Sequence, residues 1–384
     1  MNHPVYVAGC PDYEKDHVKA AVERIFTELQ LDDLIHPNMN VVIKPNLVMK
    51  SKPEAAIITH PAIVAAVGKR VKALDANVTI AESAGGLYNT PALKSTYSGC
   101  GYEAMAERTG LRLNMDCGYG NMECPEGLRC KSFPVIDPIR NCDLLINIAK
   151  LKSHCLTGMS GGVKNLFGSV PGLQKPEFHC RFPDKKDFGM MLTDLCETVK
   201  PSITIVDAVV AMEGNGPSGG RPRQVGVLLG GRNPYSVDLI GARLMAMEPS
   251  DIFMLQSAME RGLCPHSAEE VIHLGDDYKQ FIVQDFLQPE SKSNDFIDRV
   301  PKPLRPLAEK LATPKPKIRA ADCVGCGKCA ESCPQHTITI INRKAVISYV
   351  KCIKCFCCHE MCPAKAIDIK RFSLFRLMSG SLKK

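Results

Sequence analysis

The tightest constraint on this chain is a pair of cysteine runs. Residues 323–334 read CVGCGKCAESCP, and residues 352–363 read CIKCFCCHEMCP. Both follow C-x2-C-x2-C-x3-C-P, with Cys323, Cys326, Cys329 and Cys333 in the first and Cys352, Cys355, Cys358 and Cys362 in the second. Two-residue gaps let the backbone curl round an inorganic core. Three thiolates of a run then grip one cubane while the fourth reaches the other. The spacing predicts two [4Fe–4S] clusters, one on Cys323, Cys326, Cys329 and Cys362, the other on Cys352, Cys355, Cys358 and Cys333. Pro334 and Pro363 follow the fourth cysteine of each run, where a fixed φ and a missing N–H turn the chain away. Zinc knuckles would set paired cysteines about fifteen to twenty residues apart, and disulfides would need an oxidising compartment.

The two runs form an internal repeat with a period of 29 residues, each closing on a short apolar strand, Ile338–Ile341 and Ile367–Ile369. From Ala320 to Ile369 the chain resembles a bacterial two-cluster ferredoxin. Cys357, beside Cys358, is the spare thiol and is read as a small filler, not a ligand.

At 384 residues the chain has room for two or three domains. Hydrophobic residues make up 45% and charged ones 23%, the balance of a globular protein. MNHPVYVAGC reads as a strand, not a signal peptide, and no apolar run approaches the roughly 18 residues of a membrane span. Nineteen cysteines point to a reducing cytoplasm. The formal charge of +7 falls to about +3 once each oxidised cluster with its thiolates contributes about −2. With no basic helix or aromatic stacking platform, no nucleic-acid partner is expected.

Residues 1–290 alternate strand and helix patterns. Val5–Ala8, Val41–Ile43, Val78–Ala81, Leu144–Ile148, Ile203–Val206 and Val225–Leu229 read as strands. Val18, Ala21, Val22, Ile25, Phe26 and Leu29 share a helix face. Thr59 is placed as the cap of a helix carrying Val64, Val67 and Val71, and further helices are expected from about Phe188 to Val199, Val237 to Met245 and Ile252 to Met259. Alternation implies right-handed crossovers, hence an α/β fold with a mostly parallel sheet and helices on both faces. Residues 114–131 fit no element.

Polar residues follow these strands. Lys44 and Asn46 come after the second, Glu82 and Ser83 after the third, Lys150, Lys152 and His154 after Leu144–Ile148, and Asp207 and Glu213 after Ile203–Val206. In an open parallel sheet the carboxyl ends of the strands line one rim, where ligands bind. If the strand continues past Ile148, Lys150, Lys152 and His154 share a face. Three potential cations there repel unless an anion or acidic group compensates. Gly158, Gly161 and Gly162 would then allow close backbone approach, and Lys164 and Asn165 add donors. The stretch reads as a pocket for a small anion or a site where His154 ligates a metal, against the plainer reading of a solvated basic edge and a glycine turn. A second glycine-rich segment holds Glu213 and Asn215 without a nucleotide-binding motif.

KPNLV at 44–48, KLKSH at 150–154, GGVKNLFG at 161–168 and MEGNGPSGG at 212–220 carry a resemblance to the domain-of-unknown-function 362 family. That family favours KTH and GAVKN where this chain has KSH and GGVKN. The resemblance implies an α/β domain over 1–288 and supports the candidate residues, without naming a reaction. Residues 289–319 are read as a proline- and lysine-rich linker with a short docked helix at Leu304, Leu307, Ala308 and Leu311. The ferredoxin domain is placed at 320–370 and a basic tail at 371–384, with Phe372 and Phe375 expected to pack on it. Cys117, Cys124 and Cys130 are candidates for a further metal.

The expected function is an iron–sulfur oxidoreductase. Electrons from a redox partner would cross two clusters to an anion held by Lys150, Lys152, His154 and Lys164, with His154 donating a proton. The alternatives are an electron carrier whose large domain docks on a partner enzyme, and a ligand-binding domain with structural clusters.

Overall fold

β-Branched runs and amphipathic helices alternate through the larger part of the chain, and one sheet collects them. The structure is a computed structural model describing residues 3–291 and 313–370. Its strands in chain order are β1 (Val5–Gly9), β2 (Asn40–Lys44), β3 (Asn77–Ile80), β4 (Arg112–Leu113), β5 (Tyr119–Glu123), β6 (Ser132–Ile136), β7 (Leu144–His154), β8 (Gly158–Ser160), β9 (Ile203–Glu213), β10 (Arg221–Gly231) and β11 (His273–Gly275). Nine of them form a sheet ordered β11-β1-β10-β9-β7-β2-β3-β4, with β8 folded back on β7. The run from β9 through β4 is parallel, and so is β1 with β11. β10 is antiparallel to both neighbours. The segment between β9 and β10 is too short for a crossover helix, so the chain reverses there as a hairpin.

Helices cover both faces, as the alternation predicts. Lys15–Glu28 buries Val18, Ala21, Val22, Ile25 and Phe26 on one face, beside Pro61–Lys72 with Val64, Val67 and Val71. Lys185–Val199, Pro234–Leu244 and Phe253–Glu260 pack on the other. The cap of Pro61–Lys72 is not Thr59. His60 Nδ1 accepts the Ala62 N–H at 3.2 Å, while the Thr59 hydroxyl donates to Ile148 O at 2.7 Å and ties the helix start to β7.

Residues 114–131, without a place in the sequence pattern, contain β5, which pairs with β6. Its largely polar sequence leaves little period-two signal. The fold anchors this hairpin through a buried carboxylate. Asp194 accepts the N–H groups of Leu128, Arg129 and Cys130 at 2.6–3.0 Å and pairs with Arg261 at 2.9 Å. Cys117, Cys124 and Cys130 turn their thiols to the backbone carbonyls of Met115, Asp194 and Ser132.

The C-terminal part has two small antiparallel sheets. β12 (Lys315–Ile318) pairs with β15 (Ile367–Lys370), and β13 (Ile338–Ile341) with β14 (Lys344–Ile347). β12 lies inside the stretch read as linker, so this fold begins by residue 315 and not at 320. The α/β part runs past 288, since Glu290 N–H donates to Asn215 Oδ1 at 2.9 Å and the Ser291 hydroxyl donates to Cys155 O. The linker helix expected at Leu304, Leu307, Ala308 and Leu311, and the packing expected of Phe372 and Phe375, lie outside the described residues.

The two parts are docked. Phe356 and Ile369 pack on Cys155, the Ser218 hydroxyl donates to Glu360 O at 2.7 Å, and the His359 ring sits between Asn215 O at 2.9 Å and Ile367 O at 2.5 Å.

Candidate functional site

The carboxyl ends of β2, β3 and β7 open into a cavity of about 70 Å³. Asn46, Glu82, Ser83, Lys152, His154, Lys164, Asn165, Lys175 and His179 line it from the α/β part. Ser332, Cys357, Glu360 and Met361 close it from the iron–sulfur part.

Behind it, Lys44 Nζ meets Glu82 Oε2 at 2.5 Å with both side chains buried. Burial pushes the lysine pKa down and the carboxyl pKa up, and their mutual attraction opposes both shifts. The last glycine of GGVKNLFG passes directly over this pair. A Cβ on Gly168 would collide with Glu82 and Lys44, so only glycine fits there.

Three further lysines have no paired carboxylate among the described residues. Lys152 Nζ donates to Asn46 Oδ1 at 2.7 Å and Ile57 O at 2.8 Å. Asn46 continues the chain to Asn165, and Asn165 to Asn147. Lys175 Nζ donates to Ser83 O, Ser83 Oγ and Ala84 O at 2.7–3.2 Å. Lys164 Nζ lies 4.7 Å above the Phe167 ring and meets no hydrogen-bond acceptor among the described residues. Burial lowers all three pKa values, with Lys152 and Lys175 brought down to about 7.

His154 is held in one tautomer. Its Nδ1 accepts the N–H groups of Leu156 and Thr157 at 3.1 and 3.4 Å, so the proton sits on Nε2. That Nε2 is buried without a hydrogen-bond partner among the described residues, 3.9 Å from Glu360 Oε2. Burial, with Lys164 and Lys152 nearby, holds His154 well below the usual imidazole range. The ring is a neutral donor. His179 stacks on Phe188 at 4.5 Å, has an unpartnered Nδ1, and is pushed by burial to about 3.

The sequence-predicted residues divide accordingly. Asn46, Glu82, Ser83, Lys152, His154, Lys164 and Asn165 reach the cavity, with Lys44 behind Glu82. Lys150, Glu213 and Asn215 do not line it. Lys150 Nζ is bound to Asp207 Oδ2 at 2.8 Å and Tyr13 Oη at 2.7 Å. The pairing of β7 with β9 shifts between Lys150 and Lys152, which parts neighbours on the same face. Glu213 pairs with Arg221 at 2.7 Å and accepts the Leu287 N–H. Asn215 serves the domain contact. Gly161 admits no ligand either, because Asp238 fills the space where its Cβ would sit and accepts the Gly162 and Val163 N–H groups.

Lys175 escaped the sequence reading because it sits on a helix, Gln174–Arg181, and not after a strand. The residues contributed by the iron–sulfur part carried a single hint, the spare Cys357.

The cluster cysteines ring two cavities of matched size. One is lined by Cys323, Cys326, Cys329 and Cys362, the other by Cys333, Cys352, Cys355 and Cys358. The thiols surround a space and do not converge on a point. Among the described residues, no three His, Cys, Asp or Glu side chains could share a single ion. Backbone N–H groups of Ala345, Thr337 and Ala366 donate to the sulfurs of Cys323, Cys333 and Cys362 at 3.2–3.4 Å, as suits cluster-bound thiolates. The donor set fits iron–sulfur cubanes.

A mostly parallel α/β domain joined to paired thiol cavities defines an iron–sulfur protein with a small basic cavity between its two parts. The chain belongs to the family described as "Domain of unknown function (DUF362)", which it matches over residues 41–243, and it carries a 4Fe-4S dicluster domain over residues 315–363. It is 30% identical over 290 residues to the "Thylakoid-associated protein sll1697" of Synechocystis sp., covering 72% of this chain and 85% of that protein. Among solved structures it is similar to the lactate racemase apoprotein from Thermoanaerobacterium thermosaccharolyticum, at 16% identity and a TM-score of 0.40, over 64% of this chain and 57% of the other. Among the described residues, no helix is long and apolar enough to cross a membrane.

Proposed function

We propose that this protein is an oxidoreductase of a reducing cytoplasm, which passes electrons through two [4Fe–4S] clusters to an anionic substrate in the basic cavity. One observation carries the reading. The short helix Cys357–Glu360 is the wall between the second thiol cavity and the basic one, with Cys358 lining the first and Cys357 and Glu360 the second. Cys333, Cys352, Cys355 and Cys358 would hold the cluster nearer the substrate. Cys323, Cys326, Cys329 and Cys362 would hold the other, whose Cys326 is exposed and faces a redox partner. Bound clusters supply one electron each at a time.

The chain's own groups do the rest. Lys152, Lys164 and Lys175 hold the anion, and the His154 Nε2–H donates a hydrogen bond to the reacting end. Lys152 and Lys175, brought near neutrality by burial, are the groups able to hand over a proton at Nζ. His154, kept neutral, orients and polarises and is not the acid. Docking of the iron–sulfur part excludes water from this exchange.

The test is anaerobic reoxidation of the dithionite-reduced holoprotein by a panel of small anions, in wild type and in His154→Leu. A hit should reoxidise the wild-type clusters, while the variant keeps its cluster absorbance and loses about a hundredfold in rate. An unchanged rate would transfer the role to an electron carrier whose large domain only docks.

A further inference from the structure

The charge inventory of the basic cavity is unbalanced. Glu82 is answered by Lys44. Among the described residues Glu360 is the second carboxylate lining the cavity, and Lys152, Lys164 and Lys175 feel both it and Glu82. With the lysines protonated, Lys44 and the lining side chains together carry two positive charges beyond the two carboxylates, while the charge of about −2 on the adjacent cluster and its thiolates lies behind the helix Cys357–Glu360. Leaving such charges buried and unpaired is strongly unfavourable, by the general penalty for desolvated ions. Proteins keep them where a ligand supplies the missing charge.

Two unmet donors point to the same space. Lys164 Nζ has no acceptor among the described residues, and the His154 Nε2–H is buried without one. A third nitrogen, His179 Nδ1, is also unpartnered. The space is small. At about 70 Å³ it is roughly half of the ~150 Å³ that accommodates benzene in an engineered cavity, which suits a compact ion and not a larger ligand.

We infer that the cavity selects a small dianionic oxyanion, a phosphate-sized ion or short dicarboxylate, over a monoanion of similar size. This deepens the reading of the cavity as a substrate site and rests on it. One end of the ion accepts from Lys164 and the His154 Nε2–H. The other lies against Lys152 and Lys175, whose remaining hydrogen bonds go to neutral oxygens. A nucleotide or other large phosphate ester exceeds the space.

Anaerobic titration calorimetry of the cluster-loaded protein at pH 6.5 and fixed ionic strength tests this, using malonate, oxalate and sulfate against acetate and formate. At least one dianion should bind about tenfold or more tightly than either monoanion. Lys164→Met, and independently Lys175→Met, should each remove most of that preference while cluster absorbance stays unchanged. At pH 8, binding should take up protons, seen as a heat that varies with buffer. Acetate binding as tightly as every dianion would overturn the dianion class and leave the anionic-substrate reading standing. A dianion that binds yet never speeds reoxidation of reduced clusters would keep the class and remove the oxidoreductase reading. No binding by any of the five would end both.

Discussion

At the scale of single residues, the site turns on how burial treats like-looking side chains. Lys44, Lys150, Lys152 and Lys164 are buried and Lys175 is half-buried, yet among the described residues only the first two of these lysines have a carboxylate within hydrogen-bonding distance. Burial brings Lys152 and Lys175 down to about 7, and this gives a pH dependence of definite sign. An anion needs their charged form. Affinity for the bound dianion should therefore be greatest below pH 7. It should fall above it by up to about tenfold per unit for each lysine, until binding no longer restores the proton. Calorimetry at pH 6, 7, 8 and 9 measures this, and an affinity that rises with pH would contradict it. His154 adds no inflection between pH 5 and 8, because burial and the neighbouring cations keep it neutral.

At the scale of elements, β7 does two jobs along one face. Its even-numbered residues begin in the core with Leu144, Ile146 and Ile148 and continue into Lys150, Lys152 and His154. Lys150 is structural. It joins β7 to β9 through Asp207, which also accepts from Tyr13 Oη at 2.9 Å and the His60 N–H at 3.0 Å. Lys150→Met leaves that carboxylate buried without its cation, at a cost of about 3–5 kcal/mol. Denaturant unfolding should show most of that loss, with a partial recovery in Lys150→Met/Asp207→Asn, while dianion affinity in the folded protein stays within about twofold of wild type. A selective loss of binding with unchanged stability would return Lys150 to the site. Alternation along a strand told which residues share a face. The register shift opposite β9, which separates Lys150 from Lys152, has no signature in a single sequence.

At the scale of the whole molecule, the iron–sulfur part both carries the cluster cysteines and closes the basic cavity. The crossed arrangement of its thiols ties each half of the repeat to the other, since Cys362 joins Cys323, Cys326 and Cys329 while Cys333 joins Cys352, Cys355 and Cys358. Cys362→Ser should thus disturb the cluster of the first run, not its own. Iron and sulfide should fall by about half. The surviving EPR signal should be that of the cluster beside the basic cavity, and it should still respond to bound dianion. Loss of the anion-responsive signal instead would reverse the assignment. Ser218, Asn215 and Gly85 meet Glu360, His359 and Met361 across the contact, so cavity shape and cluster position are set together.

What the sequence determined by itself was whatever depends on local spacing. The eight-cysteine repeat, the βα alternation and the polar residues after apolar strands each follow from a period along the chain, and periods are visible in one dimension. What only the tertiary structure decided was which of those residues face a common space. Lys150 and Glu213 were claimed by Asp207 and Arg221. Lys175 and His179 arrived from a helix, and Cys357 and Glu360 arrived from the other end of the chain. The reason is physical: a buried charge is defined by its neighbours, and long-range packing supplies them.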